Sequence, residues 1–141
     1  AAVAISVAPA EPGTAPRNSD FAVVTLAQPI TAQILPLAVE DFDPDRWAAD
    51  CKAGVEYAQA GYSADRSHIL TRNAACAITG FLNGSAVFAH TCDATHGDSG
   101  SPILVQRGKV YTVVGLHVAS SRKGATEWPS LAIQLWQAWH G

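Results

Sequence analysis

No stretch of these 141 residues is apolar for long enough to cross a bilayer, because the uninterrupted apolar runs are only a few residues each. A basic excess is missing too. Nine Lys plus Arg stand against 12 Asp plus Glu, a net charge of -3, with no basic stripe, so no nucleic-acid partner is expected. Charged residues make up only 15% of the chain and hydrophobic residues 48%. That is too little charge for a disordered chain and enough apolar material for a core. Cysteine is scarce: Cys51, Cys76 and Cys92 form no CxxC pair and no Cys/His cluster at zinc-finger spacing. Neither a metal nor a cofactor is expected. Internal repeats and low-complexity segments are absent. The expectation is a soluble globular protein, one domain or a piece of a larger one, with no membrane partner.

Three cysteines are an odd number. In an oxidising compartment one pair closes and one sulfur stays free or serves another chain. The stretch between Cys76 and Cys92 reads as two short strands and a turn around Asn83-Gly84, which favours that pair and leaves Cys51 over. Three reduced thiols in a cytosolic protein is the competing reading. No signal peptide stands at the N-terminus, as in any mature or truncated chain.

Most of the chain reads as short strands. Ala1 to Ala8 alternates loosely and meets Pro9, Pro12 and Pro16, a strand followed by an irregular loop. Phe21 to Leu26 is rich in β-branched residues and is closed by Pro29. Glu40 to Asp50 is acidic and polar around Pro44 and reads as a connector. Val55 to Ala60, Ser67 to Thr71, Ala74 to Thr79 and Ser85 to His90 are further strands, as are Ile103 to Gln106 and Val110 to Val118. Strands at this spacing predict an all-β barrel or sandwich. Pro129-Ser130 then reads as a helix start, with Leu131, Gln134, Leu135, Ala138 and Trp139 at helical spacing, so a C-terminal helix is expected over 130–139. Trp128, Trp136 and Trp139 read as packing residues.

The sharpest chemical feature is Thr95-His96-Gly97-Asp98-Ser99-Gly100-Ser101-Pro102. A serine nucleophile needs a base to take its proton and donors for the oxyanion that forms. Glycines on both sides of Ser99 let the backbone turn tightly and aim N–H groups at one point. The string is not a G-x-S-x-G elbow, because Ser101 stands where the last glycine belongs.

With GDSGSP at 97–102 and Val114-Gly115-Leu116-His117 on the following strand, the chain resembles the chymotrypsin-like (trypsin-like) serine proteases. Within them it is most similar to the bacterial branch near the glutamyl endopeptidases. Asp20-Phe21-Ala22-Val23-Val24-Thr25-Leu26 looks like that family's D-x-A-x-x-x-L stretch, and Gly61-Tyr62 and His90-Thr91-Cys92-Asp93 also have the look of the bacterial branch. The resemblance covers nearly all of the chain and implies a double β-barrel. Residues 1–30 would be the closing strands of the first barrel, its opening strands missing, and 31–141 the second barrel with its C-terminal helix. It implies a secreted or periplasmic endopeptidase acting on a peptide or protein substrate. Ser99 would be the catalytic nucleophile, Asp20 the catalytic residue that orients the base, and the backbone of Gly97 and Ser99 the oxyanion hole. Asp98 would brace the oxyanion loop.

One part of the pattern fails. The family's order is His, Asp, Ser, yet His68, His90, His96, His117 and His140 all follow Asp20. His96 shares the loop of Ser99 with no orienting acid in view, so it is a poor substitute base. The general base is expected from outside this chain, on an N-terminal segment or a second chain, with Cys51 available for a disulfide to it. A half-barrel without that segment exposes sheet edges and an apolar face. The competing expectation is a catalytically inactive protease-like module that binds peptides or proteins in the same cleft.

For substrate binding the resemblance points to Asp93, His117 and Thr95. Asp93 lies six positions before Ser99, where trypsin-like members carry an acid for Lys or Arg. His117 stands where glutamyl endopeptidases use a histidine to meet a carboxylate. One pocket cannot favour both charges, and one resolution is that Asp93 and His117 pair with each other. Ala119 and Ser120 are small and keep the pocket open. The balance favours an acidic preference.

Overall fold

The computed structural model describes residues 1–7, 20–82, 84, 86–120 and 129–136. The proline-bearing loop, Asn18, Ser19, Asn83, Trp128, and the end of the expected helix with Trp139 and His140 lie outside the described residues.

Two antiparallel strands, β1 (Ala2–Val7) and β2 (Ala22–Leu26), form a small sheet with Ile5 opposite Val24 and Val7 opposite Ala22. Side chains alternate along a strand, so Val3, Ile5 and Val7 share a face with Val24 and Leu26. That face is open, with exposures from 45% at Leu26 to 71% at Val7. The strands β4 (Tyr57–Gly61), β5 (Thr71–Cys76), β6 (Ile78–Leu82), β7 (Val87–His90), β8 (Pro102–Arg107), β9 (Val110–Ala119) and β10 (Ser130–Gln134) form the main sheet, in the order β5-β4-β8-β9-β10-β7-β6. A two-residue strand, β3 (Ala38–Val39), pairs with β9 in parallel.

The two ends of that order, β5 and β6, are separated in sequence by Ala77 alone. The sheet therefore curls back on itself, as a chymotrypsin-like β-barrel does. Phe42, Tyr57, Phe88, Ile103, Val105 and Val114 fill its interior. The Cys76–Cys92 disulfide spans the same seam, and Cys51 is free and exposed. Closing a loop of 16 residues is worth about 3 kcal/mol. A Cys76→Ala/Cys92→Ala variant is expected to lose that much in urea unfolding, and an unchanged midpoint would contradict it.

Apart from the expected strand Ser67 to Thr71, which is turn up to the start of β5 at Thr71, two elements differ from the sequence expectation. The connector over Glu40 to Asp50 contains a helix, α1 (Pro44–Ala53). Asp43 caps it by accepting from the Arg46 N–H at 2.8 Å, Pro44 begins it, and Gly54 ends it at φ +67°. Arg107 holds the helix to the sheet through Asp50 on α1 and Glu40 just before it. The second correction concerns the C-terminal helix. Residues Ser130–Gln134 are a strand between β9 and β7, and of the expected 130–139 only Leu135 and Trp136 are helical among the described residues. Ser130, Ala132, Ile133 and Gln134 are all buried. A short run covered on both faces carries no alternation that would separate it from a helix.

Candidate active site

The turn that carries Ser99 lies between the loop after Cys92 and β8. Gly97 and Gly100 hold it open at φ +96° and +86°, backbone that L side chains rarely adopt. Inside the turn, the Asp98 N–H donates to the Thr95 carbonyl at 3.2 Å and the Ser101 N–H to the Asp98 carbonyl at 2.9 Å. The Gly100 N–H donates to the His117 carbonyl at 2.7 Å, and the His117 N–H donates to the Ser101 carbonyl at 2.8 Å. The turn is thereby tied to β9. The N–H groups of Gly97 and Ser99 donate to no acceptor among the described residues. Two free donors and an exposed serine on one fixed turn are what acyl transfer to Ser99 would use.

Asp98 points the other way. It is buried at 2% exposure, where its carboxylate accepts from Ser63 Oγ at 3.1 and 3.0 Å and from the Thr95 N–H at 2.8 Å. Asp98 therefore braces the loop from within.

Asp20 sits just before β2, exposed, with no hydrogen bond or ion pair to the Ser99 turn. No described histidine hydrogen-bonds to Ser99. His68 and His96 are exposed, and His90 and His117 are buried. Among the described residues, no group of three His, Cys, Asp or Glu is placed to hold a metal.

His117 is not paired with Asp93, which corrects the expectation of a neutralising pair; Asp93 is exposed and makes no ion pair among the described residues. His117 instead belongs to a chain of polar groups through the barrel. His90 Nε2 lies 3.0 Å from His117 Nδ1, His117 Nε2 lies 3.1 Å from Ser120 Oγ, and Ser120 Oγ donates to the Thr95 carbonyl at 3.3 Å. The terminal carbonyl can only accept, which gives the chain a direction. Ser120 spends its proton on Thr95 and so accepts from His117 Nε2–H, leaving His117 Nδ1 to accept from His90 Nε2–H. His90 and Ser120 are partners that sequence reading gave no such role; the available signal for His90 is a polar residue ending the apolar run Val87-Phe88-Ala89.

Both rings are held neutral at ordinary pH. Burial pushes His117 below the usual histidine range, partly offset by the Asp98 carboxylate. Burial and then the neighbouring His117 push His90 down to about 4, against an upward pull from the Leu131 backbone. An unfolded chain protonates its histidines near pH 6.5. From there down to about pH 4 the unfolded state binds more protons than the native state, so stability falls with falling pH. For His90 alone the loss reaches on the order of 3 kcal/mol. Urea unfolding at pH 7 and pH 4.5 checks this, with a His90→Phe variant expected to show the weaker dependence; equal slopes in the two proteins would contradict it.

No curated protein matches the chain. The trypsin family model matches residues 2–139, which takes in β1 and β2, the whole main sheet and the Ser99 turn. On that match and this curled β-sheet, the chain belongs to the trypsin family of serine proteases.

Proposed function

We propose that this chain is the Ser99-bearing part of a secreted or periplasmic serine endopeptidase, whose general-base histidine comes from a segment outside these 141 residues. The observation that carries the reading is the Ser99 turn, with its exposed serine and the two N–H groups of Gly97 and Ser99 unbonded among the described residues of a trypsin-family chain. Ser99 Oγ attacks the scissile carbonyl carbon as the supplied histidine takes its proton. The oxyanion forms against the Gly97 and Ser99 N–H groups. Collapse expels the amine, which leaves with that proton, and an acyl-enzyme remains on Ser99. Water then attacks the acyl carbon as the histidine takes its proton, and the histidine passes that proton to Ser99 Oγ as the acyl bond breaks and the carboxylic acid product leaves. Asp20 orients the histidine. The open face of Val3, Ile5, Val7, Val24 and Leu26 supports a segment packed against β1 and β2, since a two-stranded sheet with an uncovered apolar face is marginal alone. Cys51 is exposed and free for a disulfide to that segment. The Cys76–Cys92 bridge supports an oxidising compartment.

The preferred substrate carries a carboxylate on the amino side of the scissile bond. Ser120, which covers the buried His117 and bonds to the Thr95 carbonyl, is the group that meets it first. A substrate carboxylate takes the Ser120 hydroxyl proton from Thr95 and accepts from His117 Nε2–H, while His90 donates from behind. Asp93 makes no ion pair among the described residues, so its carboxylate is free for a substrate Lys or Arg, and the peptide comparison decides between the two charges. Kinetics on matched peptides with Glu, Gln or Lys before the cleaved bond test the reading. Glu is expected to be cleaved at least tenfold better than Gln, and a preference for Lys would overturn it.

A further inference from the structure

The end of β4 and the short segment after it pack against the Ser99 turn at several points. Gly61 has no room for a side chain, because a Cβ there would run into Ser101 Oγ and come within 3.0 Å of Asp98 Oδ1. Two residues on, Ser63 Oγ lies 3.1 Å from Asp98 Oδ1 and 3.0 Å from Oδ2. The Ala64 N–H donates to the His96 carbonyl at 2.7 Å, and a Cβ on Gly97 would come within 2.6 Å of the Ala64 nitrogen. Thus residues 61–64 form one wall against which residues 96–101 are cast.

We infer that Ser63 is a positioning residue for the Ser99 turn, its hydroxyl fixing the Asp98 carboxylate and through it the direction of the Gly97 and Ser99 N–H groups. The inference rests on the endopeptidase reading of Ser99. Asp98 is buried, and among the described residues it makes no ion pair with Lys or Arg. Its side-chain donors are neutral: Thr95 N–H and Thr95 Oγ1 at 2.8 and 3.4 Å, both on Oδ2, and the Ser63 hydroxyl. Ser63 is the donor that reaches Oδ1. Without it a buried carboxylate oxygen has no donor, and such an oxygen turns to find one. Asp98 sits between Gly97 and Ser99 in sequence, so a turn of its side chain and backbone displaces both free N–H groups together. Displacements on the order of 1 Å at a reacting centre cost about a hundredfold in rate.

The test compares Ser63→Val with Ser63→Thr. Ser63 is in extended backbone at φ −67° and ψ 151°, which β-branched residues adopt freely, so the two variants have nearly the same shape and differ in the hydroxyl. Amide exchange is read on the full chain and kinetics on the assembled protease. Ser63→Val is expected to speed exchange of the Asp98 and Ser101 amides at least tenfold and leave Val105 and Val114 in the core unchanged. Its kcat is expected to fall about ten- to a hundredfold at constant KM, and Ser63→Thr to restore both. Equal behaviour of Val and Thr variants overturns the inference. So does a uniform loss of protection that includes Val105 and Val114, because Ser63 would then hold the fold and not the turn. A Ser99→Ala control separates the two readings: intact hydrolysis would remove the endopeptidase reading and leave the exchange comparison to decide the brace.

Discussion

Ser99→Ala is expected to lower peptide hydrolysis by the assembled protease about a million-fold, because it removes the atom on which the proposed acyl-enzyme would form. The residual rate over water would come from the Gly97 and Ser99 N–H groups and from substrate binding, which alanine leaves in place. KM is expected to change little. The substitution removes one exposed oxygen that makes no hydrogen bond among the described residues, so urea unfolding should be unchanged within about 0.5 kcal/mol. This pairing of a lost rate with retained stability separates a nucleophile from a structural serine. A loss of less than tenfold would mean that another group carries the chemistry.

His117→Ala is expected to cost about a hundredfold or more in kcat/KM on substrates with Glu before the cleaved bond. The buried ring is the proposed donor to the substrate carboxylate, and its removal strands Ser120 on one side and His90 on the other. The Gln peptide brings no charge and should lose far less. The readout is therefore the Glu/Gln ratio, which cancels any general loss of active protein. The ratio should fall toward one, and a preserved ratio would place selection elsewhere. A His90→Phe variant should fall between, since it removes the donor behind His117 and not the contact itself.

The conformation of the Ser99 turn was legible in the sequence, because its string needs glycine at fixed places. GDSGSP must contain glycine where the backbone goes to positive φ, and Gly97 and Gly100 are found there. The Cys76–Cys92 pair was legible because its two strands and turn lie in one short stretch. Helix α1 was missed because Asp43-Pro44 serves equally as a turn or as a cap followed by a first helical residue. The helix expected from Ser130 failed because β9 and β7 offer Leu131, Ala132 and Ile133 a ladder on both sides, which outweighs local spacing. The partners of His117 and Asp98 were illegible for a different reason. His90 is 27 residues from His117 and Ser63 is 35 from Asp98, and the curl of the sheet brings them together where no local pattern records it.

The central claim is that Ser99 is a nucleophile completed by a histidine from outside these residues. A fluorophosphonate probe applied to the native protein, followed by reduced and non-reduced mass spectrometry with peptide mapping, tests it most directly. The account predicts a single adduct on Ser99, formed only in material that also contains a His-bearing segment. A histidine-complete preparation with no adduct on Ser99, or with the adduct on another residue, would contradict it.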